Sequence, residues 1–292
     1  MSNINNSVTS FFKAFNDLKI SFRDLFNNKS FNKSLIRKNI PLIEKGSYVI
    51  EDNIWTIDKK DNHNFLSSFL IIFKSHIPEF EKDINSLQKI INNKPEVSKE
   101  FTLNILKNNH KNISDFGRIN ELTNEFLSFF SLFSALPYRE AVRLCILNDF
   151  PFHDHNSAFC PVCGHWPGIS YIIEKEGKKI MACICCGAKW SFRRLQCSFC
   201  LTSEKEVLSY LNVEGESEIS AYTCDRCRRY LKTKKLKTEE EILEEDTPII
   251  DFMNSGYIDI AAMQNKYIQE SLLETRFNGP YDNNIKKFLE VS

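Results

Sequence analysis

Four Cys-x-x-Cys pairs fall within 68 residues of this 292-residue chain: Cys160/Cys163, Cys183/Cys186, Cys197/Cys200 and Cys224/Cys227. Thiolates two residues apart on a tight turn can face one tetrahedral ion, and two such turns complete a four-sulfur site. Nineteen residues separate the first pair from the second, and twenty-three separate the third from the fourth. Those lengths suit a β-hairpin that brings two turns together. The spacing therefore reads as two metal ions in tandem, zinc or iron, each held by four cysteines. Sequential pairing is the simplest assignment, and spacing alone leaves a swapped pairing open.

In turns of this kind a glycine after the second cysteine lets the backbone take a positive φ while its N–H groups point at sulfur. Gly164 and Gly187 supply it in the first two pairs, whereas Leu201 and Arg228 stand there in the others. Cys185 is an extra thiol inside the second pair, read as a spare buried cysteine, and Cys145 is read as core. His153 and His155 carry donor nitrogens, but eight cysteines already fill two sites, so the run from Asp149 to Asn156 reads as a polar linker.

Only two of nine glycines precede residue 151, while 17 of the 24 phenylalanines do, so the first half reads as helical with an aromatic core. Phe11, Phe15, Leu18, Phe22 and Leu25 form one helical stripe, and Phe65, Phe69, Ile72 and His76 another. Pro78 and Pro95 open further helices. Ser114 is the expected N-cap of the longest, whose stripe runs Ile119, Leu122, Phe126, Phe129/Phe130 and Phe133, and Pro137 is expected to restart the chain as a last helix. The segment from Asn27 to Asp61 has no clear period and is left unassigned.

Beyond the linker the period changes to that of strands. Ile169 to Ile173 and Lys179 to Cys183 flank a charged turn, as Val207 to Val213 and Glu218 to Tyr222 flank Glu214 to Glu216. The second copy repeats the first: turn, hairpin, turn. Lys232, Lys234, Lys235 and Lys237, followed by an acidic run from Glu239 to Asp246, read as a solvated segment. Thr247 and Pro248 open a tail helix, and Ile260, Gln264, Tyr267, Ile268 and Leu272 share one side of another. The expected fold class is α+β: a helical domain over 1–150, tandem rubredoxin-like or zinc-ribbon modules over 158–231 (158–190 and 191–231), then a charged linker and helical tail over 232–292.

Equal numbers of acidic and basic residues give no overall field for nucleic acid or an anionic membrane. The longest apolar-rich run, Phe126 to Tyr138, is short of the about 20 residues a membrane span needs. The N-terminus lacks the pattern of a secretory signal, so the cysteines are expected in the reducing cytoplasm, where such pairs hold metal. Ten basic and eight acidic residues between Cys160 and Leu231, with thiolates added, leave the modules slightly negative, an argument against nucleic acid. Arg193, Arg194, Arg226, Arg228 and Arg229 are read as solvated surface. No phosphate loop, His-Glu-x-x-His or nucleophile elbow is present, and closed four-sulfur sites have no open position, so the chain is not expected to be an enzyme. The modules could be a structural scaffold, an electron carrier if the metal is iron, or a nucleic-acid-associated zinc ribbon.

With those residues in view, the segments CPVCGHWPG, EGKKIMACICCGAKW, SFRRLQCSFC and YTCDRCRRYLK resemble the formate dehydrogenase accessory protein family, FdhE, over about residues 158 to 257. Carried over residue by residue, the resemblance implies that the eight paired cysteines are ligands in two rubredoxin-like modules. It also implies a cytoplasmic assembly factor, not itself a dehydrogenase, that acts on the catalytic subunit of formate dehydrogenase. Self-association is left open. This chain departs from the family pattern in its additional Cys185, in Arg228 where glycine is expected, and beyond Ala262.

Overall fold

A computed structural model describes residues 2–45, 47–147, 157–242 and 247–268. The chain divides into two compact units, one of residues 1–41 and 49–148, the other of 42–48 and 149–292. His153, His155, the acidic Glu244 to Asp246, and Leu272 lie outside the described residues.

Seven helices are described in the first unit: α1 (Ser2–Ser21), α2 (Lys33–Asn39), α3 (Lys59–His76), α4 (Glu81–Asn93), α5 (Pro95–Leu106), α6 (His110–Ile119) and α7 (Asn124–Ile146). Local signals start several of them. Asn32, Asp58, Asn109 and Thr123 each accept a hydrogen bond from a first-turn backbone N–H, and Pro95 fills a position where the missing N–H costs nothing. The phenylalanine stripes of α1, α3 and α7 meet in one core. Ring centroids lie 5.3 Å apart for Phe69 and Phe130, and 5.1 Å apart, edge to face, for Phe11 and Phe133.

Three readings of this half change. Ser114 lies inside α6, and Thr123 instead caps the longest helix, accepting from Phe126 N–H at 3.3 Å. Between the two helices Glu121 takes a φ of 55°, which breaks the period and leaves Ile119 70% exposed. Pro137 does not restart the chain, for α7 runs through it. Every residue from Phe130 to Arg139 is buried, and that packing outweighs the roughly 3 kcal/mol an interior proline costs. The unassigned stretch holds α2 and short turns, with Phe31 and Trp55 paired as an antiparallel bridge.

The second unit is organised on a six-stranded sheet: β1 (Ile169–Ile173), β2 (Lys178–Ala182), β3 (Lys189–Phe192), β4 (Leu208–Val213), β5 (Glu216–Cys224) and β6 (Arg229–Leu236), in the order β3-β2-β1-β6-β5-β4. Each module is thus a three-stranded antiparallel set, and β1 joins β6 in parallel register with Ser170 beside Thr233. Two expected hairpins are therefore one continuous sheet. Ile169, Tyr171, Ile173, Ile180, Ala182, Ile219, Ala221, Tyr230 and Leu236 line one buried cluster, which Ile258 and Ala262 of the tail complete.

The basic run after Cys227 is not a solvated segment. It forms β6, and Lys232 is 1% exposed. Two of its lysines reach helices α8 (Thr247–Asn254) and α9 (Gly256–Gln264), where Lys232 meets Asp259 at 2.8 Å and Lys234 meets Asp251 at 2.9 Å, while Lys235 is exposed. Helix α9 also differs from expectation: it ends at Gln264, and it buries Ile258 and Ala262 while Ile260 and Gln264 face outward.

Candidate metal centres

The β1–β2 hairpin sets the first two cysteine turns side by side, with Gly168 N–H donating to Ala182 carbonyl at 3.0 Å. There the Cys160 and Cys186 sulfurs lie 3.5 Å apart, as do those of Cys163 and Cys183 and of Cys163 and Cys186. The β4–β5 hairpin does the same for the second pair of turns, with Cys197 to Cys227 and Cys200 to Cys224 both at 3.7 Å. In each group all four sulfurs fall within 4.8 Å of one another, and the grouping is sequential.

These distances fit a metal ion. Sulfurs about 2.3 Å from a central zinc stand about 3.8 Å apart along the edges of the tetrahedron. A disulfide would need about 2.05 Å, and none of the ten cysteines is in one. Both groups can therefore hold a metal ion of the thiolate-seeking kind, zinc or iron.

Each turn is closed alike. Gly164, Gly187, Leu201 and Arg228 donate their N–H to the carbonyl of the first cysteine at 2.9, 2.9, 3.2 and 2.8 Å. All four adopt the left-handed region, with φ of 73°, 73°, 60° and 57°. The conformation inferred for the glycines thus extends to two residues that carry a Cβ. An L residue there costs roughly 1–2 kcal/mol, while glycine's extra freedom when unfolded takes back about 0.4–1 kcal/mol. Leu201→Gly is accordingly expected to raise the stability of the metal-loaded chain by about 0.5–1 kcal/mol, read from its denaturant midpoint. An unchanged or lower midpoint would mean that the turn is not strained. Arg228 is the poorer choice, because its guanidinium bonds Asp225 at 2.6 Å and lies 4.2 Å from the centre of the Tyr267 ring.

The two groups differ in their surroundings. All four sulfurs of the first belong to residues at most 1% exposed. The Tyr48 ring lies so close over Gly164 that an added Cβ would meet it at 2.5 Å, and Ile184 fills the space beside Gly168 in the same way. Cys185 is fully buried beside them, and His165 donates from Nδ1 to the Cys163 carbonyl at 3.1 Å, bracing the turn. In the second group Cys197 and Cys224 are buried but Cys200 and Cys227 are half-buried. Phe199 N–H donates to the Cys197 sulfur at 3.4 Å.

Burial pushes the Cys160 and Cys186 thiols well above the ordinary range, whereas Cys183, though equally buried, is drawn well below it by the thiols around it. In the second group Cys197, whose thiol hydrogen-bonds to Cys200, is pushed up to about 12, and the same hydrogen bond draws Cys200 down to about 2. Binding of a divalent ion requires each set to release the protons it still holds.

Sequence reasoning did not find Tyr48 or Lys179. Tyr48 sits in the unassigned stretch, more than a hundred residues from its glycine. Lys179, one of two adjacent lysines, is 2% exposed, with its Nζ 3.2 Å from Ser198 Oγ and 4.4 Å from the centre of the Tyr222 ring. Burial lowers its ammonium to about 7, with the Cys197 charge acting the other way. Of the arginines, Arg226 pairs with Glu204 at 3.1 Å and Arg228 with Asp225.

No protein-family model matches the chain. Among curated proteins it is similar to the protein FdhE homolog of Aquifex aeolicus, 24% identical over 165 residues that cover 55% of this chain and 54% of that one. It is also similar to the FdhE homolog of Stutzerimonas stutzeri, 32% identical over 102 residues and 33% of each chain. The chain thus spans about half the length, or less, of the curated relatives it matches. The crystal structure of the FdhE protein from Pseudomonas aeruginosa has the same fold, with a TM-score of 0.60 over 91% of this chain and 87% of that one at 17% identity. Relatives in sequence, the shared fold and two four-cysteine groups all point to the FdhE family.

Proposed function

We propose that the chain is a cytoplasmic accessory protein for the maturation of formate dehydrogenase, and that it binds the catalytic subunit through its metal-loaded ribbon unit. The observation that carries this reading is the pair of closed four-sulfur groups in a chain of FdhE type. A tetrahedral ion with four cysteine ligands has no position for substrate, so the unit serves as a rigid surface and not as a hydrolytic centre. Cys160, Cys163, Cys183 and Cys186 would hold one ion, and Cys197, Cys200, Cys224 and Cys227 the other. Zinc there is structural and redox-inert, whereas iron also supplies one-electron chemistry. Among the described residues, no helix is long and apolar enough to cross a membrane.

Co-purification tests the reading. An affinity-tagged chain is expected to recover the formate dehydrogenase catalytic subunit from cells that make it, and the double variant Cys160→Ser, Cys163→Ser to lose most of that recovery. Equal recovery by the variant, or full formate dehydrogenase activity in cells without the protein, would overturn it.

An electron carrier is the second reading, and the half-exposure of Cys200 and Cys227 is what favours it. It requires bound iron whose colour bleaches reversibly on reduction. Nucleic acid is disfavoured, because the ribbon unit carries no excess of positive charge once its thiolates are counted.

A further inference from the structure

Two lysines of the sheet are almost completely buried, and they are treated differently. Lys232 has a carboxylate, Asp259, at 2.8 Å. Lys179 has none among the described residues. Its Nζ reaches Ser198 Oγ at 3.2 Å and lies 4.4 Å from the centre of the Tyr222 ring and 5.4 Å from that of Phe192. A hydroxyl and two ring faces solvate an ammonium only in part, and a buried cation without a counter-charge is strongly disfavoured.

The second cysteine group is nevertheless next to its hydroxyl partner. Ser198 follows Cys197 directly and lies within the turn that carries two sulfurs of the second group. Four thiolates around a divalent ion hold a net charge of about −2, so a loaded second centre supplies the missing charge. Lys179 stands on β2, which belongs to the first module, and Trp166 of that module packs on Phe199 in the same turn at 5.2 Å between ring centres. The first module thus supplies side chains to the surroundings of the second centre.

We propose that Lys179 is the buried counter-ion of the second metal centre, a positioning residue and not a ligand, held at the Cys197–Cys200 turn by Ser198. The proposal rests on the reading that both cysteine groups hold metal. It predicts an effect confined to one of the two centres, which a general packing role would not produce.

The test is chelator competition on the full-length loaded chain. Native mass spectrometry counts bound ions, and thiol alkylation mapped to each cysteine identifies the centre that has opened. Lys179→Met is expected to release the second ion about 10–100-fold more readily than wild type while the first centre keeps its wild-type retention. Lys179→Arg, which keeps the charge, is expected to stay much nearer wild type. Wild-type retention of the second ion in Lys179→Met would overturn the proposal, as would equal weakening of both centres. Should Lys179→Met fail to fold, Ser198→Ala carries the test, with weaker retention of the second ion alone expected and unchanged retention overturning the assignment. A wild-type chain that binds no metal would remove the metal reading itself. Two bound ions with an indifferent Lys179→Met would remove only the counter-ion.

Discussion

Cys183→Ser in the full-length chain is expected to lose the first metal and to unfold the ribbon unit as a whole. A structural four-ligand zinc site contributes about 10–16 kcal/mol to the folding of small metal domains, as much as or more than the about 5–15 kcal/mol by which an ordinary domain is stable. Little else here could compensate. The first centre ties the turn before β1 to the turn after β2, and β1 in turn carries β6, so its loss propagates across the parallel seam. Trp166 and Trp190 report on this directly, being 3% and 1% exposed, with the Trp190 indole N–H donating to the Ser157 carbonyl at 2.7 Å. Their emission is expected to shift to that of solvated indole as metal content falls from two ions per chain. The helical circular dichroism should largely persist, because α1, α3 and α7 have their own aromatic core. A Cys183→Ser chain with two bound ions and unshifted emission would sink the expectation.

Asp259→Ala carries the second large effect. It leaves Lys232, 1% exposed, without its carboxylate and takes from the Tyr230 hydroxyl an acceptor at 2.7 Å. Breaking a buried pair from one side typically costs about 3–5 kcal/mol, because the remaining charge stays buried. Removing both charges is far milder, so adding Lys232→Met to an Asp259→Leu change is expected to restore most of the stability. Asp251→Ala should cost less, since its partner Lys234 is 20% exposed and keeps a second carboxylate, Glu218, at 3.6 Å. Denaturant midpoints and protease cleavage within residues 247–268 measure these effects. Equal midpoints for Asp259→Ala and wild type would mean that α9 is not held by this pair.

What was legible in the sequence follows from how local the cause is. Cysteine spacing is local, and it identified both groups, their turns and the place of β1. The hairpin strands β4 and β5 were readable to within a few residues for the same reason. Strand β6 was not, because RYLKTKKL has the composition of a solvated run. Asp251 and Asp259, up to 27 residues further on, make Lys232 and Lys234 tolerable inside a sheet. Lys179 has the same character: its burial depends on a ring and a hydroxyl contributed by the other module. Pro137 misled in the opposite direction. A strong local signal for a break was overridden by burial on every side, which no window of sequence contains.

The parallel seam between β1 and β6 also imposes an order on synthesis. Ser170 and Thr233, whose hydroxyls meet at 2.8 Å across it, are separated by 63 residues. At about 5–20 residues per second a ribosome needs roughly 3–13 s to deliver the second after the first. For that interval one margin of the nascent hairpin displays unpaired backbone groups, a template for wrong partners. The first ion can bind once Cys186 has emerged, the second only after Cys227. Were both groups to take metal, the N-terminal one would be complete first, and the open margin is closed by β6, the last strand of the sheet to be made.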